Sequence, residues 1–287
     1  MAVIWELDFY SRPLLDENQK KLWEVLICES PLVVGQELEG LFRFSKLCPN
    51  TEVNSVWLRE AVQEAIAQAP SPPDKIRFFR RQMTNMIIKG CEEAGIRAYS
   101  SRRTIALNYW LEQRMAEVYP NYPNYQSSPN PSVLMGAPVP RPLPDQLIGQ
   151  QWAFVTLEAK DLADMPDWEI DFSEAFPLEL VGLSPDMRVP GVLIFSPRAL
   201  PLAAWMSGLE LASIQSIQSD PPQLLIETGS NEAWVLATLT DPALRQEAEN
   251  FEATKKAANN VHFVGVQSDS QAERFTGFWL LQELNLA

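Results

Sequence analysis

Residues 4–29 read IWELDFYSRPLLDENQKKLWEVLICE, and the way this stretch pairs with itself decides the fold. Trp5, Leu7 and Phe9 alternate with Glu6, Asp8 and Tyr10, the period of two that marks a half-buried strand. Asp16-Glu17-Asn18 is turn chemistry, and KKLWEVLICE (20–29) resumes the strand pattern, so the two segments predict a β-hairpin. One residue disturbs the picture. Asp8 puts a carboxylate in the middle of an apolar strand, where it is either a piece of chemistry or part of a wet face.

Working outward, GLFRFSKL (40–47) reads as a third strand. NSVWLREAVQEAIAQA (54–69) places Leu58, Val62, Ala65, Ile66 and Ala69 on one helix face, with Asn54 or Ser55 as N-cap and Pro70 as stop. A short strand (KIRFFRR, 75–81) leads to a helix (QMTNMIIKGCEEA, 82–94) closed by Gly95. IRAYSS (96–101) is a further strand and TIALNYWLEQRMAEV (104–118) a further helix. Three strands, helix, strand, helix, strand is the element order of a ribonuclease H-like α/β domain.

Residues 119–144 hold eight prolines and three tyrosines, and proline neither donates to a ladder nor continues a helix. The expected division is therefore an α/β half over 1–118, a proline-rich linker or loop over 119–146, and a second α/β half over 147–287. In that second half QWAFVTLE (151–158) and VPGVLIFS (189–196) read as strands and ALPLAAWMSG (199–208) as a short helix. Three strand segments follow (210–218, 223–228, 233–239), and Asp241-Pro242 then opens a helix as N-cap and N1. VHFVGVQ (261–267) and GFWLLQEL (277–284) close the chain as strands. The fold class is α/β with mixed sheets, and the three-strands-then-helix run suggests that the second half is a unit related to the first.

At 46% apolar and 21% charged, the 287 residues have the composition of a globular protein. No apolar run approaches the ~20 residues of a membrane span. The first ten residues contain Glu6 and Asp8 and no basic residue, unlike a signal or transit peptide. Cys28, Cys48 and Cys91 are odd in number and far apart, which suits reduced, packed thiols in a cytosol. The net charge of −14 argues against indiscriminate binding to nucleic acid or membrane. It is unevenly spread: residues 1–140 carry 15 basic and 16 acidic residues, and residues 141–287 carry 8 and 21. Such asymmetry suggests different tasks for the two halves.

The ribonuclease H order gives Asp8 a sharp test, since enzymes of that fold hold two metals with carboxylates from the first strand, the first helix and the fourth strand. Glu60 or Glu64 could serve on the helix, making a metal-dependent nuclease one alternative. The fourth strand, however, ends FFRRQ, and a metal cage cannot be built from cations. Asp8 is thus expected on a solvated face, paired with Arg12 or a lysine across the hairpin. The single histidine, His262, sits in VHFVGV without a nucleophile elbow or metal-site spacing around it. Neither a phosphate-binding loop nor a dinucleotide fingerprint is present. No catalytic residue, metal or cofactor is assigned.

A basic island stands out against this acidic background. Between Lys75 and Arg103 there are eight basic and two acidic residues, interleaved with Phe78, Phe79 and Tyr99 and followed by Tyr109 and Trp110. Arginine and lysine neutralise phosphates while aromatic faces stack unpaired bases, a combination suited to single-stranded nucleic acid. By charge alone, the arginines could equally solvate an edge or pair with acids of the other half, with Phe78 in the core.

WELDFYSRP, IRFFRRQM, SSRRTIALNYWLEQR, PRALPLAAWMSGLE, ATKKAANNVHFVGVQ and GFWLLQEL together resemble the Tab/Atab family of RNA-binding proteins of cyanobacteria and chloroplasts. That resemblance spans nearly the whole chain and implies RNA binding with a leaning to A/U-rich sequence, in support of the translation of photosystem messages. It carries no catalytic residues. A chain that starts directly on its first strand resembles the cyanobacterial members and implies a cytoplasmic protein. The expected partners are single-stranded mRNA and the translation machinery. Arg77, Arg80, Arg81, Lys89, Arg102 and Arg103 are the candidate phosphate contacts, and Phe79 and Tyr99 the candidate stacking surfaces. The terminal FWLL is expected to be a packed strand. A second alternative is an adaptor whose acidic half docks a basic partner such as a ribosomal protein.

Overall fold

Strand pairing in the computed structural model, which describes residues 2–127, 138–149 and 151–284, builds three mixed sheets. The chain divides into two units. One comprises the residues up to Ser30 and from Glu39 to Met135, the other Pro31–Leu38 and Gly136–Leu284. The change between Met135 and Gly136 falls within 128–137, the part of the proline-rich stretch that lies outside the described residues.

The first unit contains β1 (Ile4–Leu15), β2 (Lys21–Glu29), β3 (Arg43–Cys48), α1 (Ser55–Gln68), β4 (Lys75–Phe78), α2 (Thr84–Glu93), β5 (Ala98–Ser100) and α3 (Ile105–Gln113). Its strands lie in the order β3-β2-β1-β4-β5, antiparallel among the first three and parallel from β1 through β5. The apolar face carries Trp5, Leu7, Phe9, Val25, Ile27, Ile76 and Phe78, packed beneath Leu58, Val62 and Ala65 of α1 and Ile87 and Cys91 of α2. Asn54 caps α1, its side chain accepting from the Val56 and Trp57 N–H groups at 2.9 Å each. Gly90 lets the two helices meet, because a β-carbon there would stand 3.2 Å from that of Leu58.

β1 loses register with β2 between Ser11 and Leu15, at Pro13, whose missing N–H cannot serve a ladder. The freed backbone groups take partners from a segment expected in the linker. Leu15 N–H donates to Asn124 O at 3.1 Å and Gln126 N–H to Pro13 O at 2.9 Å. Residues 119–127 are thus part of the first unit, and Tyr119 is fully buried there.

The second unit contains β6 (Pro140–Pro142), β7 (Gln151–Glu158), α4 (Ala159–Ala163), β8 (Ile170–Glu174), β9 (Arg188–Phe195), α5 (Ala199–Gly208), β10 (Leu211–Ile217), β11 (Gln223–Thr228), β12 (Ala233–Thr238), α6 (Pro242–Ala257), β13 (Val261–Gln267) and β14 (Phe275–Gln282). One sheet runs β10-β11-β12-β6 and the other β7-β9-β13-β14-β8. The proline-bearing β6 takes an edge, where a strand with few donors is tolerated. The three-strands-then-helix run exists as β10, β11, β12 and α6, but β13 then joins the other sheet, parallel to β9. The order of the first unit's sheet is therefore not repeated. FWLL lies in β14 between β13 and β8, and all four residues are buried. Phe278 meets Phe263 and Trp168 on one face, while Trp279 and Leu281 join the core on the other.

Candidate nucleic-acid interface

Glu6, Asp8 and Arg12 alternate with the apolar residues of β1 and so project from the opposite face of the first sheet. That face is dry, because α3 lies across β1 and β2. The expected solvated position of Asp8 is therefore overturned: the residue is fully buried. Its pairing with Arg12 is present at 2.9 Å, and Arg80 Nε donates to its other oxygen at 2.8 Å. Burial opposes ionisation here, but the two guanidinium groups overcome it and hold the carboxyl below its usual range.

The network extends along the sheet. Arg12 Nε reaches Glu24 at 3.3 Å, and Glu24 also accepts from Arg114 and from the Tyr119 hydroxyl. Arg114 comes into place through a π-helical turn (Arg114–Val118) at the end of α3, a register change of the kind found at special sites. Glu6 accepts from Ser30 Oγ and from the Leu107 N–H, both at 2.7 Å, the latter in the first turn of α3. Burial pushes its carboxyl up to about 7, against the pull of Ser30, Leu107, Arg77 and Arg103.

Four of the eight expected RNA contacts lie inside. Arg77, Phe79, Arg80 and Arg103 are between 0 and 5% exposed, which removes them as direct phosphate or base contacts in this conformation. The reason is strand periodicity: Arg77 alternates with Ile76 and Phe78, lies in register with Glu6 and so faces the carboxylates of β1. Arg80 is held by Asp8 and lies over the Tyr10 ring at 4.1 Å and the Phe79 ring at 4.9 Å. Arginines paired with acids of the other half were among the alternatives. The acids belong to β1 and β2 instead.

The other four are accessible. Arg81 and Lys89 are exposed, Tyr99 is 44% exposed and Arg102 is half-buried. Arg81 follows β4 and Arg102 follows β5. These strands are parallel neighbours, Phe78 standing opposite Ser100 and Ser101 N–H donating to Phe78 O at 2.7 Å. Arg81 and Arg102 consequently occupy the same edge, at the carboxyl ends of parallel strands, where open α/β sheets bind their ligands. Each has an anchored arginine beside it in sequence, Arg80 and Arg103 respectively. Lys89 stands apart on α2, 3.9 Å from Glu93.

The nuclease constellation does not assemble. Asp8 points to the α3 side, whereas α1 covers the other face of the sheet and shows Glu60 and Glu64 to solvent, paired with Arg59 at 3.2 Å and Lys46 at 2.7 Å. His262 is buried, with Nδ1 3.0 Å from Asn260 O and Nε2 accepting from Ile214 N–H at 2.8 Å, a structural role in the core. The three cysteines are free and buried, and burial pushes Cys48 and Cys91 up to about 12, away from nucleophilic thiolate. Sequence reading missed the partners Glu24, Arg114 and Tyr119. The available signal was the set of carboxylates at alternate positions of β1 and β2, too many for one face unless cations met them.

Two family models match the chain: "RNA-binding protein Tab2/Atab2 N terminal" over residues 4–114 and "RNA-binding protein Tab2/Atab2, C-terminal domain" over 130–282. The chain is 37% identical over 287 residues to a maize (Zea mays) protein named "Protein TAB2 homolog, chloroplastic", covering 98% of this chain and 71% of that one. It is also 37% identical over 288 residues to the Arabidopsis thaliana protein of the same name, covering 98% and 74%.

Proposed function

This chain belongs to the Tab2/Atab2 family of RNA-binding proteins, and from that premise we propose that it binds A/U-rich single-stranded RNA without cleaving it and supports translation of photosystem messages. The observation that carries the reading is the shared edge of Arg81 and Arg102, with Tyr99 one residue before the end of β5 and solvent-exposed. Two guanidinium groups would meet successive phosphates, and the Tyr99 ring would stack a base. Arg80 and Arg103 are positioning residues that fix the backbone from which their neighbours reach out. Lys89 adds positive potential at a distance. The proline-rich stretch would join a nearly charge-balanced half to a strongly acidic one, and the buried free thiols suit a reducing compartment such as the cytoplasm where messages are translated.

Crosslinking the intact chain to a cellular RNA pool, followed by sequencing, tests this reading. Enrichment of A/U-rich leaders of photosystem messages, recovered uncut after incubation with Mg²⁺, is the expected result. Recovery of a basic protein with no RNA would instead favour the adaptor reading, for which the excess acid of residues 141–287 is the supporting observation. Metal-dependent shortening of the RNA would contradict the non-enzymatic reading.

A further inference from the structure

A cleft of about 440 Å³ opens in the acidic unit between α6 and the strands β7 and β9. Glu247, Asn250, Phe251 and Thr254 fall at i, i+3, i+4 and i+7 and form the helix stripe that lines it. Opposite them stand Phe154 of β7 and Arg188 of β9. Phe154 is half-buried, and its ring is fixed by Trp152 at 5.2 Å in a T-shaped contact and by Phe251 at 5.4 Å. A ring held on two sides loses little freedom when a further flat group stacks on it. Asn250 and Arg188 are exposed, and no ion pair among the described residues involves Arg188. The volume is that of a small-ligand site, and its chemistry is an aromatic floor, a carboxamide, a carboxylate and one cation.

We propose that this cleft is a nucleobase pocket that takes a single adenine of an RNA strand. The base stacks on Phe154, the Asn250 carboxamide reads its edge, and Arg188 meets the adjoining phosphate. Adenine is favoured because a carboxamide matches its paired donor and acceptor. Glu247 accepts from an exocyclic amine and repels the carbonyl edge that uracil or guanine would offer in its place. The surplus of acid in residues 141–287 repels a longer run of backbone, so the strand touches this unit at one nucleotide. The proposal rests on the RNA-binding reading and adds base selectivity to it. A free adenine nucleotide shares the same chemistry, and the test separates the two.

Affinity of the full-length chain is measured for labelled twelve-residue oligo-A and oligo-U and for AMP. The wild-type chain is expected to prefer oligo-A and to bind AMP far more weakly. Asn250→Ala, at an exposed helix position where alanine is a good helix former, should weaken oligo-A about tenfold, leave oligo-U within twofold and leave the thermal midpoint unchanged. Phe154→Leu keeps an apolar filler and removes the stacking surface, so it should act in the same direction on oligo-A. Unchanged oligo-A affinity in both variants overturns the pocket while leaving the Arg81 and Arg102 edge intact. AMP binding as tight as oligo-A overturns the strand assignment. Failure of the wild-type chain to bind either oligomer overturns the RNA-binding reading itself.

Discussion

Asp8 sits out of solvent between the guanidinium groups of Arg12 and Arg80, so removing its charge takes one carboxylate out of a buried ionic set in which Arg12 keeps Glu24. Breaking one member of such a buried set costs about 3–5 kcal/mol, and Asp8→Asn should lose stability of that order in urea unfolding. A cost under about 1 kcal/mol would mean that water reaches this face after all. Glu6 makes the opposite electrostatic prediction. Its carboxyl is raised from 4.5 to about 7, so between those values the folded chain holds a proton that the unfolded chain has released. Stability conferred by that proton is present at low pH, declines as pH rises from about 4.5 to 7, and is gone above it. The shift is worth about 3 kcal/mol. Glu6→Gln should remove this decline, leaving a chain more stable than wild type at pH 8 and not at pH 4. Parallel pH profiles for the two proteins would contradict it. At this scale the sequence was half legible: alternation put Glu6, Asp8 and Arg12 on one face, but nothing local said that α3 would cover it.

Periodicity and caps made most elements readable in advance. Asn54 and Asp241 cap α1 and α6 by side-chain acceptance, and α5 spans residues 199–208 as its apolar pattern predicts. Elements lacking such signals were missed. β8 is a short edge strand in an acidic stretch, and β6 is built around two prolines, so neither resembles an isolated strand. The β14 strand reads as a continuous apolar run because both of its faces are covered, the mark of an interior strand. Trp279 shows how tight that packing is, since a β-carbon added to Gly277 would stand 2.4 Å from its ring. Trp279→Ala should therefore cost about 3–5 kcal/mol of stability, while the folded fraction keeps its RNA affinity. Loss of affinity at unchanged thermal stability would move FWLL from the core to the interface.

Charge is divided across the whole molecule, nearly balanced over residues 1–140 and strongly acidic beyond, so a polyanion is attracted only close to a local cation patch. The basic island located that patch in the chain without resolving its members. Arginine is the same letter whether it faces Asp8 or solvent, and only the register of β4 and β5 against β1 separates Arg77, Arg80 and Arg103 from Arg81 and Arg102. The central claim is that the accessible pair meets RNA while the buried ones hold the fold. It is tested most directly by the salt dependence of single-stranded RNA binding in the Arg81→Ala, Arg102→Ala double variant, with Arg80→Ala alongside. The account predicts that the double variant keeps its thermal midpoint and that its slope of log K against log salt flattens by about 1.4, or 0.7 for each lost phosphate contact, whereas Arg80→Ala lowers the midpoint. An unchanged slope and affinity in the double variant would contradict it.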